Sequence, residues 1–216
     1  MIKQKRSHPE IVSIDSPDFS ERAAAVIRGG GIIAFPTETY YGLGADPYNI
    51  DGLSRLFELK QRSLSKAILV IIDNMSQLNQ LIADFPESYR SLIETHWPGP
   101  LTLIFPALSS LSQLLTGGTG TIGIRMSSSG SAKKICKAAG IPITATSANI
   151  SGHPPATCAD EIVRYFGDKI DLIIDGGVAA TPECSTIVTV DGNRLRVIRP
   201  GMIEIITDEY QSENFQ

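Results

Sequence analysis

Four short segments carry residue types that an ordinary core or loop does not need. The first is Pro36-Thr37-Glu38-Thr39-Tyr40-Tyr41-Gly42-Leu43-Gly44. It follows a buried apolar run, Gly31 to Phe35, that reads as a strand. Hydroxyls, an acid and glycines at a strand's carboxyl end are what a ligand crevice in an α/β sheet uses; a polar turn between strand and helix would look similar. The second is Leu59-Lys60-Gln61-Arg62-Ser63, whose two cations fall at the end of an amphipathic helix and off its apolar face. They suit the C-terminal end of a helix dipole, and they also suit a polyphosphate, with Arg62 as a planar fork and Lys60 as a point charge. The third, Thr144-Ala145-Thr146-Ser147-Ala148-Asn149-Ile150-Ser151-Gly152, is dense in donors and can wrap an anion with side chains and backbone N–H groups. A Ser/Asn turn is the plainer alternative. The fourth pairs Ser185-Thr186-Ile187-Val188 with Arg199-Pro200-Gly201 across a hairpin. A lone Arg199 there is a solvated residue; beside the other three segments it becomes a phosphate or ribose contact.

Several familiar constellations are absent or spurious. Gly118-Thr119-Gly120-Thr121-Ile122-Gly123 matches G-x-G-x-x-G, but the dinucleotide fingerprint needs a strand before it and a helix after it. A strand, Thr121 to Met126, follows instead. There is no P-loop, no G-x-S-x-G elbow and no Cys–His pairing suited to nucleophilic work. The three cysteines, Cys136, Cys158 and Cys184, contain no C-x-x-C pair, which argues for a reducing compartment. The histidines are scattered, so no protein metal site is expected.

The elements that must position these segments alternate between helix and strand. A helix is expected after Ser16-Pro17, as cap and first helical residue, ending at Gly29-Gly30-Gly31. Asn49 caps a second helix with Leu53, Leu56, Phe57 and Lys60 on adjoining turns. Strands are expected over Ala67–Ile72, Leu101–Phe105, Thr121–Met126, Ile143–Thr146 and Asp171–Asp175. Two short helices follow Ser76 and Pro86, and Trp97-Pro98-Gly99-Pro100 is a rigid turn. A helix spans Ser131–Ala139, and Thr157 with Asp160 opens another as a capping box. Ser185–Val190 and Arg194–Ile198 flank the turn Asp191-Gly192-Asn193. The fold class is therefore α/β with a mixed sheet.

The chain has 216 residues, 42% of them hydrophobic, enough for one large domain. No apolar run approaches the ~18 residues of a membrane helix, and the polar, basic start lacks a secretory leader, so the cytoplasm is the expected compartment. We divide it into an N-terminal extension, 1–15, a catalytic domain, 16–206, and a polar tail, 207–216. The net charge is −4. It gives no global basic signature for nucleic acid, so any anion site must be local.

Taken together, PTETYYGLG, LKQR, WPGPLTLIFPA, the GIR of Gly123 to Arg125, TSANISG, STIV and RPG resemble the YrdC-like family of threonylcarbamoyl-AMP synthases, in its short TsaC type. The resemblance runs from roughly Gly30 to Gly201, and the family's lysine, arginine, serine and asparagine stand here as Lys60, Arg62, Ser147 and Asn149. Ser63 and Lys66 replace prolines that family members often carry. The resemblance implies a twisted, mostly open sheet with helices around a concave face. It implies that ATP, L-threonine and bicarbonate give threonylcarbamoyl-AMP and pyrophosphate, with magnesium accompanying the ATP. Other proteins would then move the threonylcarbamoyl group to an adenosine beside the anticodon of tRNA, and the enzyme itself would make at most a weak contact with tRNA. Lys60 and Arg62 would be catalytic and, with Thr121, Ser147, Asn149 and Arg199, would bind ATP. Thr37, Arg125, Ala145 and Ser185 would bind threonine, Arg125 through a bidentate pair with its carboxylate. The competing readings are a non-catalytic double-stranded RNA-binding module of the same fold, and a carbamoyl-transfer relative with another acceptor.

Overall fold

The computed structural model describes residues 9–179, 183–192 and 194–205. Among these the strands form two mixed sheets rather than one. The first has the order β1 (Glu10–Ser13), β9 (Leu172–Asp175), β2 (Ile33–Pro36), β3 (Tyr41–Gly44), β8 (Thr146–Ser147). The second runs β11 (Arg194–Arg199), β10 (Thr186–Asp191), β5 (Leu101–Pro106), β6 (Thr121–Met126), β4 (Val70–Ile72), β7 (Ile143–Thr144). The α/β class with mixed strand pairing and surrounding helices is as expected from the sequence; the division into two sheets is not.

Period-two alternation gives each strand two buried faces. In the first sheet Ile33, Phe35, Leu172 and Ile174 pack on α1 (Phe19–Arg28) and α5 (Gly130–Ala139), against Phe19, Ala23, Ala24 and Ile27 of the former and Ala132, Ile135 and Cys136 of the latter. Ala34, Ile173, Tyr41 and Leu43 face the opposite way. There they join Val70, Leu103, Phe105 and Ile124 of the second sheet, Leu53, Leu56 and Phe57 of α2 (Ile50–Lys60) and Ile162 and Phe166 of α6 (Ala159–Phe166). The two sheets thus share one core.

Helix boundaries follow side-chain bookkeeping. Asn49 Oδ1 accepts from the Gly52 N–H at 2.8 Å, the expected cap of α2. Ser16 does not cap α1: its hydroxyl donates to Asp18 instead, and the helix begins at Phe19. The capping box of α6 is one residue further on than expected: Glu161, not Asp160, is the third helical residue, and its carboxylate accepts from Thr157 N at 2.7 Å. That N–H, more than any other group, holds the Glu161 carboxyl below its usual range.

Three elements escape a sequence reading. Residues 10–13, assigned to an N-terminal extension, form β1 and pair in parallel with β9. Tyr41–Gly44, read as part of a loop, is β3. The expected single strand Ile143–Thr146 is two strands in two sheets, with Ala145 between them. The tail 207–216 and Asn193 lie outside the described residues.

The hairpin of β10 and β11 is closed at its open end by Gly201. A Cβ there would stand 2.3 Å from Cys184 O and 2.6 Å from Ser185 C. The next residue, Met202, donates its N–H to that same Cys184 carbonyl at 3.0 Å. Gly201→Ala must force the segment off β10, and overpacking of this kind costs about 1–3 kcal/mol. A thermal melt should show a loss of roughly 2–4 °C per kcal/mol, and an unchanged melting temperature would mean that the corner gives way freely.

Candidate active site

The segment that crosses from one sheet to the other sets the site. Ala145 donates its N–H to Leu69 O at 2.8 Å, just before β4. Thr144 is bound to Ala45 twice, N to O at 3.0 Å and Oγ1 from Ala45 N at 2.8 Å, just after β3. Ala148 N then donates to Tyr41 O at 2.8 Å. Residues 144–148 therefore stitch β3 to β4, and a cavity of about 340 Å³ opens beside the seam. That volume suits a small-molecule site.

One face of the second sheet is its floor. Register places Arg199 beside Ile187, Ile187 beside Thr102, and Ile71 beside Arg125. Leu103 faces Ile124, so the next antiparallel pair brings Thr102 next to Arg125. A single row across five strands thus carries an arginine at each side of Thr102. The Trp97–Pro100 turn fixes this row: Trp97 Nε1 donates to Leu101 O at 2.8 Å, Gly99 N to Met126 O at 2.8 Å, and Pro100 O accepts from Thr186 N at 3.0 Å. The walls are the first segment, Thr37 and Thr39 to Gly42, the switch residues Ala145 to Ser147, and Arg62, Ala67, Leu69, Cys184 and Ser185.

The structure brings together Thr37, Arg62, Arg125, Ala145, Ser147, Ser185 and Arg199 at this cavity. Three of the expected residues do not reach its wall. Thr121 stands four residues before Arg125 on β6, and its hydroxyl bonds to Thr119 Oγ1 at 2.8 Å. Asn149 turns away, its Nδ2 donating to His153 O at 2.6 Å. Lys60 is at the end of α2 as expected, but it lies on the buried face, 1% exposed. Its Nζ donates to Ser147 O, to Asn149 O at 2.9 Å and to Asn149 Oδ1 at 2.9 Å. Burial first, and the Arg62 guanidinium second, pull its pKa down to about 7, while the three oxygens work to keep it protonated. Lys60 is thus a pin under the Ser147–Asn149 turn.

Arg62 leaves α2 through Gln61, at φ 49° in the left-handed region. It curls over its own loop, donating to Lys66 O at 3.3 Å and Ala67 O at 2.7 Å. The loop is closed at Ser63 and Lys66 by one side-chain and one backbone bond: Ser63 Oγ bonds Ser65 Oγ at 2.8 Å, and Lys66 N donates to the Ser63 carbonyl at 3.1 Å. Arg199 is anchored on Ser185, through its carbonyl at 2.9 Å and its hydroxyl at 3.1 Å, and Ser185 Oγ bonds Thr102 Oγ1 at 3.0 Å.

Arg125 is different. It is 7% exposed, yet its guanidinium meets Glu38 Oε1 only at 3.5 Å and Thr39 Oγ1 at 3.5 Å. The Glu38 Oε1 atom is itself buried and accepts no hydrogen bond, while its other oxygen accepts from Ser127 Oγ. Burial lowers the Arg125 pKa, Glu38 works against that, and Arg199 adds to it; an arginine nevertheless stays charged. A buried guanidinium with only long contacts at a cavity wall has the geometry to take a planar anion such as a carboxylate. Glu38 belongs to the first segment singled out in the sequence, whereas Ser127, whose hydroxyl donates to the other Glu38 oxygen, carries no sequence signal. The wall carries cations and hydroxyls but, among the described residues, no histidine or carboxylate. It can bind and orient anions and stabilise charge.

A family model described as "Telomere recombination" (Sua5, YciO, YrdC) matches residues 25–201. The chain belongs to the Sua5/YciO/YrdC family. A Sua5/YciO/YrdC relative from Pyrococcus abyssi, named threonylcarbamoyl-AMP synthase, is 38% identical over 179 residues, 83% of this chain and 53% of that protein. One of the same name from Marinobacter nauticus is 34% identical over 178 residues, covering 81% of this chain and 94% of its own. Among solved structures, Sua5 of P. abyssi complexed with L-threonine matches this Sua5/YciO/YrdC chain with a TM-score of 0.84 at 36% identity, over 89% of this chain and 57% of that one. The chain thus spans about half the length of the P. abyssi relative and nearly all of the M. nauticus one.

Among the described residues Glu38 is the one carboxylate in an ion pair with Arg125, so Glu38→Ala should leave a buried cation without its counter-charge. Such a loss costs about 3 kcal/mol, the low end for buried pairs because this one is long. A melting temperature lower by roughly 6–12 °C is expected. Wild-type melting in this variant would show that Arg125 is held by something else.

Proposed function

We propose that this protein is a threonylcarbamoyl-AMP synthase, joining ATP, L-threonine and bicarbonate into threonylcarbamoyl-AMP and pyrophosphate. The observation that carries the reading is Arg125: buried, on the cavity wall, and paired with Glu38 at no closer than 3.5 Å. The P. abyssi complex with L-threonine supports an amino-acid site in this fold. Threonine's carboxylate sits on Arg125, with Thr37, Ser185 and the Ala145 backbone around the rest of the molecule. The nucleotide lies toward Arg62, Ser147 and Arg199, and Lys60 with Asn149 holds the Ser147 turn from below.

Bicarbonate loses hydroxide to give carbon dioxide; the neutral amine of threonine attacks its carbon, and the proton the amine sheds joins the hydroxide as water, leaving a carbamate. A carbamate oxygen attacks the α-phosphorus of ATP; the bond to the bridging oxygen breaks and pyrophosphate leaves with the electron pair. No protein nucleophile takes part. Positioning and neutralisation of phosphate charge supply the rate, which matches a wall of arginines and hydroxyls. Magnesium would accompany the ATP through phosphate oxygens and water and would supply neutralisation of phosphate charge, beside the charge that Arg62 and Arg199 bring to the wall. In this reading the product goes to partner proteins that modify tRNA, with at most a weak tRNA contact here. The setting is cytoplasmic; no helix among the described residues is long and apolar enough to cross a membrane.

Purified protein given ATP, L-threonine and bicarbonate should release pyrophosphate and form threonylcarbamoyl-AMP, and omission of threonine or bicarbonate should stop both. Arg125→Lys should raise the threonine requirement about ten- to a hundredfold, the worth of one charge-assisted contact, with a much smaller effect on ATP. Ser147→Ala should do the reverse. A uniform defect in both substrates that tracks the melting temperature would leave Arg125 with a structural role only.

A further inference from the structure

Gly123 lies two residues before Arg125 on β6, so both residues belong to the same face of the sheet. A Cβ at Gly123 would stand 2.3 Å from Leu69 Cδ2, 3.1 Å from Ile104 Cδ1 and 3.4 Å from Thr102 Cγ2. Carbon atoms pack at about 3.5–4.0 Å, so the Leu69 side chain occupies the space a side chain at 123 would need. Its neighbours Ile68 and Val70 are fully buried, whereas Leu69 is half-buried and its free part lines the cavity. Its backbone cannot retreat, because Leu69 O holds the sheet-crossing Ala145 and Ile68 N is tied to Leu115 O at 2.9 Å. Ile104 and Thr102 crowd the same notch from the other side.

We propose that Leu69, seated in the notch left by Gly123, is the wall that measures the side chain of the amino-acid substrate. This rests on the reading that the substrate's carboxylate is held by Arg125. Leu69 precedes β4, the strand paired with β6, and Gly123 precedes Arg125 on β6, so the wall stands one step along the floor from the guanidinium. Its apolar surface, with Ala145 and Ile187 nearby on the cavity lining, suits a small branched side chain carrying a methyl group, and it blocks anything longer. Leu69 is a specificity-determining residue, and Gly123 is the positioning residue that seats it.

The test is pyrophosphate release by the full chain with L-threonine, L-serine and L-isoleucine, for the wild type, Leu69→Ala, Gly123→Ala and the double variant, each with a melting curve. One methylene in an apolar pocket changes selectivity about ten- to two-hundredfold. Leu69→Ala should lower the preference for threonine over isoleucine at least about tenfold. Gly123→Ala should push Leu69 into the cavity, raising the threonine KM about tenfold while the ATP KM stays within about twofold and serine suffers less. The double variant should return the threonine KM toward that of the wild type. Should Gly123→Ala melt early, Leu69→Ala, which only removes atoms, decides the matter. Unchanged amino-acid ranking in Leu69→Ala, with threonine-dependent release intact, overturns the proposal alone. No threonine-dependent release from the wild type overturns the reading of the site and the proposal with it.

Discussion

Everything about the cavity depends on one short stretch of chain that belongs to both sheets. Thr144 ends β7 in the second sheet and Thr146 begins β8 in the first, with Ala145 bonded to Leu69 O at the crossing. Because the strand period is two, a slip of one residue here would turn Thr146 and Ser147 to the opposite faces. It would also detach the loop that Lys60 pins. The buried ammonium beneath that loop fills its three donor positions with Ser147 and Asn149 oxygens, so the turn is held from below as well as from the side.

The second constraint is electrostatic. An acidic chain gathers Arg62, Arg125 and Arg199 on one wall, and a local field of this kind needs no basic surface overall. Two of the three are restrained by carbonyls of their own loops or hairpin, which fixes their direction without neutralising them. The third is opposed by Glu38 at a distance too long for a strong pair. Like charges held in place beside a low-dielectric wall make an anion welcome there.

The chemistry-bearing segments were legible because donors, glycines and cations are dense in them and sit at the ends of apolar runs. Asn49 and Thr121–Met126 behave as the local pattern dictates, since cap and period are local signals. The misplacements share a cause: they depend on partners far along the chain. Lys60 reads as a solvent-facing cation until the loop of Ser147 and Asn149, nearly ninety residues on, is laid over it. Tyr41–Gly44 reads as loop because its glycines hide a strand that exists through β2 and β8. Thr121 reads as a site residue by resemblance, yet its place on β6 puts it away from the wall. The Leu69–Gly123 contact has no sequence signature at all, being a gap on one strand filled from the next.

A structure of the protein with L-threonine and a non-hydrolysable ATP analogue tests the central claim most directly. The account predicts the threonine carboxylate within hydrogen-bond distance of the Arg125 guanidinium, and the phosphates against Arg62, Ser147 and Arg199. Threonine bound elsewhere, with Arg125 still facing Glu38 alone, would contradict it.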